Sequence, residues 1–386
     1  MKFFHLSDLH IGLKLMNRDF REDQEYILAE IIRLAVRERP DAVVIAGDIY
    51  DRAVPSADAV EIFDGFVAGL AEALPETVVM MISGNHDSGP RLDCFRSVLA
   101  RQHVHMIGTP PQKEGEYIEK VTLEDAYGPV NFYLLPFVKP SMVKRIVGVD
   151  ENGNNLSYDA ALRCLIGREE IDRQQRNVLV SHQFYLSAGM KAEEMDKLRT
   201  DSEIRTVGNV DQVGADVLEL FDYGALGHIH KPMSVGRENW RYCGTPLAYS
   251  VSEAGQQKAV TMVEMGAKGD VRLSVLPLEP LRQVRVIRGE LSDVLTQQCG
   301  DYVTVILTDQ RDLDVADMRD RLRDAFPYLL EIRRETVRRA DYGGLPPAQK
   351  PQDPFELCCL FLGETDEADR TILRDVINIV KGGEDR

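Results

Sequence analysis

The chain of 386 residues is long enough for more than one domain, and its 44% hydrophobic residues can form a sizeable core, which excludes a wholly disordered or fibrous protein. The net charge of −17 argues against binding nucleic acid by bulk electrostatic attraction. The apolar runs have the length of strands rather than membrane spans, and Asp8 falls where a signal peptide would need an uninterrupted apolar segment. We therefore expect a cytoplasmic protein without a transmembrane helix.

The first hundred residues alternate short apolar runs with amphipathic segments. This β-α-β-α-β order predicts parallel strands joined by crossover helices, with ligands bound beyond the carboxyl ends of the strands. The predicted strands are Lys2 to Leu6, Ala42 to Ala46 and Val78 to Ile82, and the predicted helices are Arg21 to Arg39, Ser56 to Leu74 and Arg91 to Ala100.

Short alternating strands dominate from about residue 115 to Leu276, with one helical stretch among them. The pattern predicts an α/β (α+β) fold in which two mixed β-sheets pack together with helices outside. The predicted elements here are strands at Tyr117 to Leu123, Val130 to Leu135, Asn177 to Val180 and Tyr223 to Leu226, and a helix around Tyr158 to Asp172.

Composition changes divide the chain further. Residues 1–280 form the predicted main domain, and a second β-α-β-α-β pattern predicts a small α/β domain over residues 281–340. A linker rich in glycine and proline follows over 341–353. Residues 354–386 show two helical patterns with one apolar face, which we expect to dock on another surface, either of a partner or of this chain.

The small domain has the least repulsive charge toward a polyanion. Residues 282–340 contain 11 acidic residues and 11 cationic ones, every cation being an arginine, which can bind phosphate through two parallel hydrogen bonds. An ion-paired, solvated surface is an equally good interpretation of each arginine. The candidate substrate contacts are Arg333, Arg334, Arg338 and Arg339.

The six cysteines show no C-x-x-C spacing, so they predict reduced, mostly buried thiols rather than a zinc ribbon or a redox pair.

Clusters of histidine, aspartate and asparagine follow the predicted strands. Five of the eight histidines lie at such strand ends, whereas His5, His103 and His105 are better explained as core or surface residues. Side chains at i and i+2 of an extended segment point to the same side, so each D-x-H or H-x-H pair can present two ligands to one point. The clusters are Asp8-Leu9-His10, Gly47-Asp48-Ile49-Tyr50-Asp51, Gly84-Asn85-His86-Asp87, Ser181-His182-Gln183 and Gly227-His228-Ile229-His230.

This set of donors fits a two-metal site in which one carboxylate bridges two ions. Several imidazoles favour manganese or another transition ion, although Mg²⁺ or another divalent ion could also bind. A histidine that is not a ligand, held by a carboxylate, would protonate the leaving oxygen. Asp51 and Asp87 could equally cap loops.

These motifs resemble those of the calcineurin-like metallophosphoesterases over roughly residues 1 to 250. The resemblance implies a two-layer β-sandwich and a pair of Mn²⁺ ions. It implies that Asp8, His10, Asp48 and His230 hold one metal, that Asp48 bridges, and that Asn85, His182 and His228 hold the other. It also implies that His86 is the general acid and that Asp51 orients it.

Further segments resemble the SbcD-type nucleases of that superfamily. They are the opening Met1 to Gly12, Asn85 to Ser88 followed by Arg91-Leu92, Gly244 to Leu247, Ser250 to Glu253, and Asp353 to Leu357. This resemblance implies a 3′-to-5′ double-strand exonuclease and single-strand or hairpin endonuclease that acts in DNA repair and recombination. It also implies a capping domain that places DNA, a C-terminal helix pair that binds an SbcC-type ATPase, and a homodimer formed through Ser56 to Leu74 and Arg91 to Ala100.

Two alternatives stay open. A phosphatase or small-molecule phosphodiesterase would use the same metal site, but it would need neither an arginine-bearing cap nor a docking tail. A degenerate scaffold that only binds proteins would be expected to lose ligands, and none of the seven is missing.

Overall fold

The computed structural model describes residues 1–187, 189, 211–309 and 315–335, with residues 358, 359, 362, 366, 367 and 369–373 of the C-terminal segment. Contacts between residues group Met1–Thr336 into one compact unit and Val337–Arg386 into another. The predicted linker over 341–353 and most of the predicted helix pair lie outside the described residues. Among the described residues, no helix combines the length and the apolar character needed to cross a membrane.

Two six-stranded mixed sheets dominate the first unit. The strands of the first sheet are β1 (Lys2–Leu6), β4 (Ala42–Ala46), β5 (Val78–Ile82), β6 (Val104–Ile107), β15 (Ala259–Met265) and β16 (Val271–Pro277). Those of the second are β7 (Glu119–Asp125), β8 (Gly128–Leu135), β9 (Arg176–His182), β12 (Tyr223–Gly227), β13 (Met233–Val235) and β14 (Arg237–Tyr242). The first sheet has the order β16-β15-β1-β4-β5-β6, and the second has the order β13-β14-β12-β9-β8-β7.

Each sheet contains four parallel neighbouring strands. In the first sheet β1, β4, β5 and β6 run parallel, and in the second β8, β9, β12 and β14 do so. The carboxyl ends of parallel strands lie at one edge of a sheet, so the loops that follow them are neighbours. Two short pairs, β2 (Lys14–Leu15) with β3 (Arg18–Asp19) and β10 (Phe184–Leu186) with β11 (Gln212–Gly214), lie outside the two sheets.

The side chains of β4 show how the two sheets pack. Ala42, Val44 and Ala46 lie in the core between the sheets, whereas Val43 and Ile45 lie in the core beneath the helices. Successive side chains of a strand point to opposite faces, so a strand buried on both faces needs a continuous apolar run. This confirms the predicted sandwich of two mixed sheets.

Helices cover the outer faces of both sheets. Over the first sheet lie α1 (Arg21–Glu38) and α2 (Ala57–Ala73), and Ser56 accepts a hydrogen bond from the backbone N–H of Ala59 as the N-cap of α2. Over the second sheet lie α5 (Pro140–Val147) and α6 (Tyr158–Gly167). Helix α6 ends five residues before the predicted Asp172, and a turn follows it.

The predicted helix at Arg91 to Ala100 is wrong. The segment forms two single turns, α3 (Gly89–Leu92) and α4 (Arg96–Leu99), because Phe95 between them adopts a left-handed conformation with φ of 62°. The Asp93 carboxylate accepts hydrogen bonds from Gly108 and Thr109 and holds the break in place. The prediction of mostly buried cysteines is also wrong, because Cys243 is the buried one of the six free thiols.

A three-stranded parallel sheet forms the predicted β-α-β-α-β unit beyond residue 281. It consists of β17 (Val284–Gly289), β18 (Tyr302–Leu307) and β19 (Leu329–Arg334), with helices Leu291–Val294 and Val315–Ala325 and its own apolar core. We call residues 282–334, as far as the structure describes them, the arginine module. Asp23 of α1 accepts hydrogen bonds from Arg282 at 2.8 Å and from the Tyr302 hydroxyl at 2.7 Å, which fastens the module to the first sheet's helices.

Candidate metal centre

The seven predicted ligands lie at the carboxyl ends of five parallel strands, three in one sheet and two in the other. Main-chain pairing continues past the strand ends, since Asp8 N–H donates to Gly47 C=O at 3.0 Å and His10 N–H donates to Asp48 C=O at 3.0 Å. The ligands are Asp8 and His10 after β1, Asp48 after β4, Asn85 after β5, His182 at the end of β9, and His228 and His230 after β12.

One group of donors surrounds the side-chain oxygen of Asn85. Oδ1 of Asn85 lies 3.1 Å from Nε2 of His182 and 2.9 Å from Nδ1 of His228. The other ring nitrogen of His182 donates to the backbone carbonyl of Ala46 at 2.7 Å, which leaves the Nε2 lone pair facing the site. These three side chains can therefore bind one ion.

A second group surrounds His10. Its Nε2 atom lies 3.1 Å from Nε2 of His230, and Asp8, His10 and His230 form a compact set of potential ligand atoms. Asp48 lies between the two groups, because its Oδ2 atom is 3.2 Å from Nε2 of His182 and 3.7 Å from Nε2 of His10. Its Oδ1 atom accepts the backbone N–H of His86 at 2.8 Å. One Asp48 oxygen is thus anchored, and the other faces both groups.

The residues present fit a pair of divalent cations. Donors bound to one transition ion at about 2.1 Å are separated by roughly 3 Å, which is the spacing observed here. Two glycines also keep the donors close, since a Cβ on Gly84 would lie 2.1 Å from Oδ1 of Asp48 and one on Gly227 would lie 1.9 Å from the Ala46 carbonyl oxygen. Four ligand residues with positive φ concentrate backbone strain here: Asp8, His10, Asp48 and His228.

The buried charged groups of the site affect one another's pKa values. Burial favours the neutral form of Asp48, but His182 and His10 outweigh burial and hold the pKa of the Asp48 carboxyl well below its usual range. Burial alone would likewise lower the pKa of His182, whereas the Asp48 carboxylate raises it to about 9. A cation that binds at His182 must therefore compete with a proton for the Nε2 lone pair.

His86 lies beside the donors and remains partly exposed to solvent. Its ring centre is 4.8 Å from that of His10, and its Nδ1 atom lies 2.9 Å from the backbone carbonyl oxygen of Asp51. Sequence reasoning expected a carboxylate to hold this histidine, but the contact is made by the main chain of Asp51. The Asp51 carboxylate instead lies 3.4 Å from Nε of Arg52.

The remaining candidates of the sequence analysis have other environments. Asp87 caps loops, since its carboxylate accepts the backbone N–H groups of Ile49, Tyr50 and Gly84. His5 is a core residue that contacts the Tyr223 hydroxyl, whereas His103 is exposed and His105 is half-buried. Arg333 is exposed and paired with Glu331 at 2.7 Å. Arg338 and Arg339 lie outside the described residues.

Sequence reasoning missed a second layer of polar contacts around the ligands. Gln24 donates to the carbonyl oxygen of His10 at 2.8 Å and accepts the N–H of Gly12 at 2.9 Å. Helix α1 therefore supports the loop after β1 that contains Asp8 and His10. The signal was present, because Gln24 is a polar residue on the buried side of α1. Tyr249 and Ser7 hold the same loop through the Leu9 carbonyl and the Asp8 carboxylate.

Comparison with known structures shows similarity at low sequence identity. A dimetal phosphatase from Danio rerio is 18% identical, with 73% of this chain and 98% of that chain covered and a TM-score of 0.41. The protein TT1561 of Thermus thermophilus is 12% identical, with 71% and 98% covered and a TM-score of 0.40. GAP50, the anchor in the inner membrane complex of Plasmodium, is 12% identical, with 86% and 96% covered and a TM-score of 0.35.

The model of one protein family matches more than half of the sequence. The match runs over residues 1–232 and includes all seven predicted ligands, which follow the strands in the order described above. The matching family is described as calcineurin-like phosphoesterase. The chain therefore belongs to the calcineurin-like phosphoesterase family.

Proposed function

We propose that the chain is a DNA nuclease of the SbcD type that hydrolyses phosphodiester bonds with two bound Mn²⁺ ions. The observation that carries the proposal is the grouping of seven nitrogen and oxygen donors at the ends of five strands, beside the partly exposed His86. One ion would be held by Asp8, His10, Asp48 and His230, and the other by Asp48, Asn85, His182 and His228. Such an ion pair, when bound, activates water at neutral pH and neutralises charge on the phosphate oxygens.

In this proposal His86 supplies the proton that the leaving oxygen needs. With Nδ1–H donating to the Asp51 carbonyl, Nε2 is the ring atom from which the imidazolium form of His86 would give its proton. Because the main chain makes this contact, the ring orientation does not depend on the charge of the Asp51 side chain. Partial exposure of His86 leaves room for a substrate to reach it.

The presence of the arginine module favours the proposal of a polymeric substrate over that of a small one. Asp23 binds this module through Arg282 and Tyr302, and the next residue, Gln24, binds the carbonyl of His10. Two adjacent residues of α1 thus link the arginine module to the loop that contains Asp8 and His10. We propose that the module helps to position DNA, that the C-terminal helix pair binds an SbcC-type ATPase, and that cleavage serves DNA repair.

We also propose a homodimer. Apolar side chains around α2 and α4 are unusually exposed, with 78% exposure for Phe95, 59% for Val98 and 45% for Val60. Light scattering should give twice the chain mass for the wild type, and Phe95→Asp should shift it toward the monomer. A monomeric wild type would refute this part of the proposal.

The decisive experiment compares substrates and metals side by side. Labelled linear duplex DNA, hairpin DNA and a generic aryl phosphate are each incubated with Mn²⁺ or Mg²⁺. We expect shortening of the DNA from its 3′ ends with Mn²⁺ and little release of phosphate from the aryl ester. Rapid hydrolysis of the aryl ester without cleavage of DNA would instead identify a phosphatase or small-molecule phosphodiesterase.

A further inference from the structure

Glu253 is a fully buried carboxylate beside a predicted metal ligand. It ends a single turn of 3-10 helix, Val251–Glu253, and its Oε1 atom lies 3.7 Å from Nδ1 of His230. The opposite ring nitrogen, Nε2, is the atom that lies 3.1 Å from His10. The imidazole of His230 is therefore bracketed by a carboxylate on one side and by the metal donors on the other.

Lys258 balances the charge of this carboxylate. Its Nζ atom lies 2.6 Å from Oε2 of Glu253, 2.7 Å from Oγ1 of Thr245 and 3.1 Å from Oε1 of Gln256, and the lysine is only 3% exposed. All three protons of the ammonium group thus have an acceptor. Ser250 also donates to Oε1 of Glu253 at 3.0 Å, so the carboxylate is held from several directions.

The same loop holds the main chain of His230. Thr245 N–H lies 3.3 Å from the carbonyl oxygen of His230, and a Cβ on Gly244 would lie 2.8 Å from that oxygen. Backbone and side chain of one ligand are thus both supported by the segment that precedes β15.

Stability alone does not explain a buried ion pair. Removing two charges from water costs several kcal/mol per ion, and apolar residues of similar volume are often as stable or more stable in such places. A carboxylate that accepts the second N–H of a metal-binding histidine fixes the tautomer and the ring orientation and raises the basicity of the ligand nitrogen. Glu253 stands where that function requires a carboxylate.

We propose that Glu253 is a positioning residue for His230, and that Lys258 keeps it ionised without adding negative charge to the site. This inference rests on the proposed function, because it takes His230 as a ligand. In the metal-bound protein the Glu253 carboxylate would accept a hydrogen bond from Nδ1–H of His230, and Nε2 would thereby be directed toward His10 and the ion. The consequence is a higher affinity at the site that contains His230 and no direct effect at the site of Asn85, His182 and His228.

The test separates positioning from mere structural support. The double variant Glu253→Gln/Lys258→Met removes both charges together, so it leaves no unpaired charge in the core. Thermal melting of the metal-free protein reports the fold, and calorimetric titration with Mn²⁺ reports the affinity of each ion. The matched control is Glu72→Gln on the exposed face of α2.

We expect the double variant to melt like the wild type without metal, yet to bind one of its two Mn²⁺ ions about 10- to 100-fold more weakly. Wild-type affinity for both ions in the folded double variant would overturn the proposal. If the double variant does not fold, Glu253→Asp decides, because it keeps the pair with Lys258 but draws the carboxylate away from His230. Glu253→Asp should also weaken one ion by about tenfold or more, and unchanged binding would overturn the proposal.

These results are distinct from failure of the proposed function. Metal binding is measured without DNA, so a protein that binds two ions but cleaves no DNA would refute the nuclease and leave the role of Glu253 intact. A wild type that binds no Mn²⁺ would refute the two-metal site itself.

Discussion

Nε2 of His10 lies 3.1 Å from Nε2 of His230, although 220 positions of sequence separate the two residues. Two imidazole nitrogens at this distance repel each other unless one carries a proton or a cation lies with them. The contact joins a loop of the first sheet to a loop of the second, so the metal centre is formed only when the two sheets pack.

The variant His86→Ala tests whether His86 is a general acid or a metal ligand. We expect both ions to remain bound while kcat falls by about 10²- to 10⁴-fold, since the proposed role of the side chain is to supply a proton and the backbone N–H that holds Asp48 is retained. Elemental analysis and steady-state kinetics on duplex DNA provide the measurement. His86 also lies near His10 and Asp48 in a set that could hold a metal, so loss of an ion in the variant would show that it is a ligand.

Asp48→Ala removes the oxygen that faces both groups of donors. We expect the affinity for both ions to fall by more than the roughly 100-fold that loss of an outer-sphere partner costs, because the variant lacks the ligand proposed to bind both ions. Mn²⁺ titration and elemental analysis measure this effect, with Asp64→Asn on the exposed face of α2 as the control. Two ions bound with wild-type affinity would refute the bridging role.

Removal of residues 353–386 tests the proposed partner site. Hydrolysis of single-stranded DNA should remain largely intact, since every predicted ligand lies before residue 231, while co-purification with an SbcC-type ATPase should be lost. The measurement is co-expression followed by affinity purification of the full and shortened chains. Persistent co-purification of the shortened chain would move the docking site elsewhere.

Because His5 is buried, we expect the free energy of unfolding to decrease at acidic pH. Burial lowers the pKa of His5 to about 3 from its ordinary value of 6.5, so between these values the unfolded chain binds a proton that the folded protein does not. The free energy of unfolding that depends on neutral His5 is fully present above pH 6.5. It falls as the pH drops toward 3, by up to about 1.4 kcal/mol per pH unit.

The variant His5→Gln removes this titration. Urea unfolding at about pH 7.5 and about pH 5 should show a free-energy difference smaller by about 2 kcal/mol in His5→Gln than in the wild type. Equal pH dependence of the two proteins would show that His5 does not titrate on unfolding.

Asp125 joins the start of the chain to the second sheet. Its carboxylate accepts hydrogen bonds from the N-terminal ammonium group of Met1 and from Nη1 of Arg176 at 3.0 Å, and Arg176 is 2% exposed. Asp125→Asn leaves a buried guanidinium without its counter-charge, and we expect a loss of about 3 kcal/mol in the free energy of unfolding. Urea titration at neutral pH, with Asp64→Asn as the control, checks it; a change below about 0.5 kcal/mol would contradict it.

Features that depend on neighbouring residues in the sequence could be predicted, whereas features that depend on contacts between distant segments could not. The run Ala42 to Ala46 predicts a buried strand because a continuous apolar run is a local pattern, and the polar cluster that begins at Asp48 marks its carboxyl end just as locally. The predicted helix over Arg91 to Ala100 failed because a contact of Asp93 with Gly108 and Thr109 outside the segment fixes the break.

The sequence by itself determined which side chains stand at the ends of which strands, since periodicity and turn residues act over a few positions. Only the tertiary structure decided which partner each of them meets. The carbonyl rather than the carboxylate of Asp51 holds His86, and Glu253 stands behind His230, because the relative placement of loops depends on packing between sheets. Such contacts join residues that are far apart in the sequence, so no local sequence pattern predicts them.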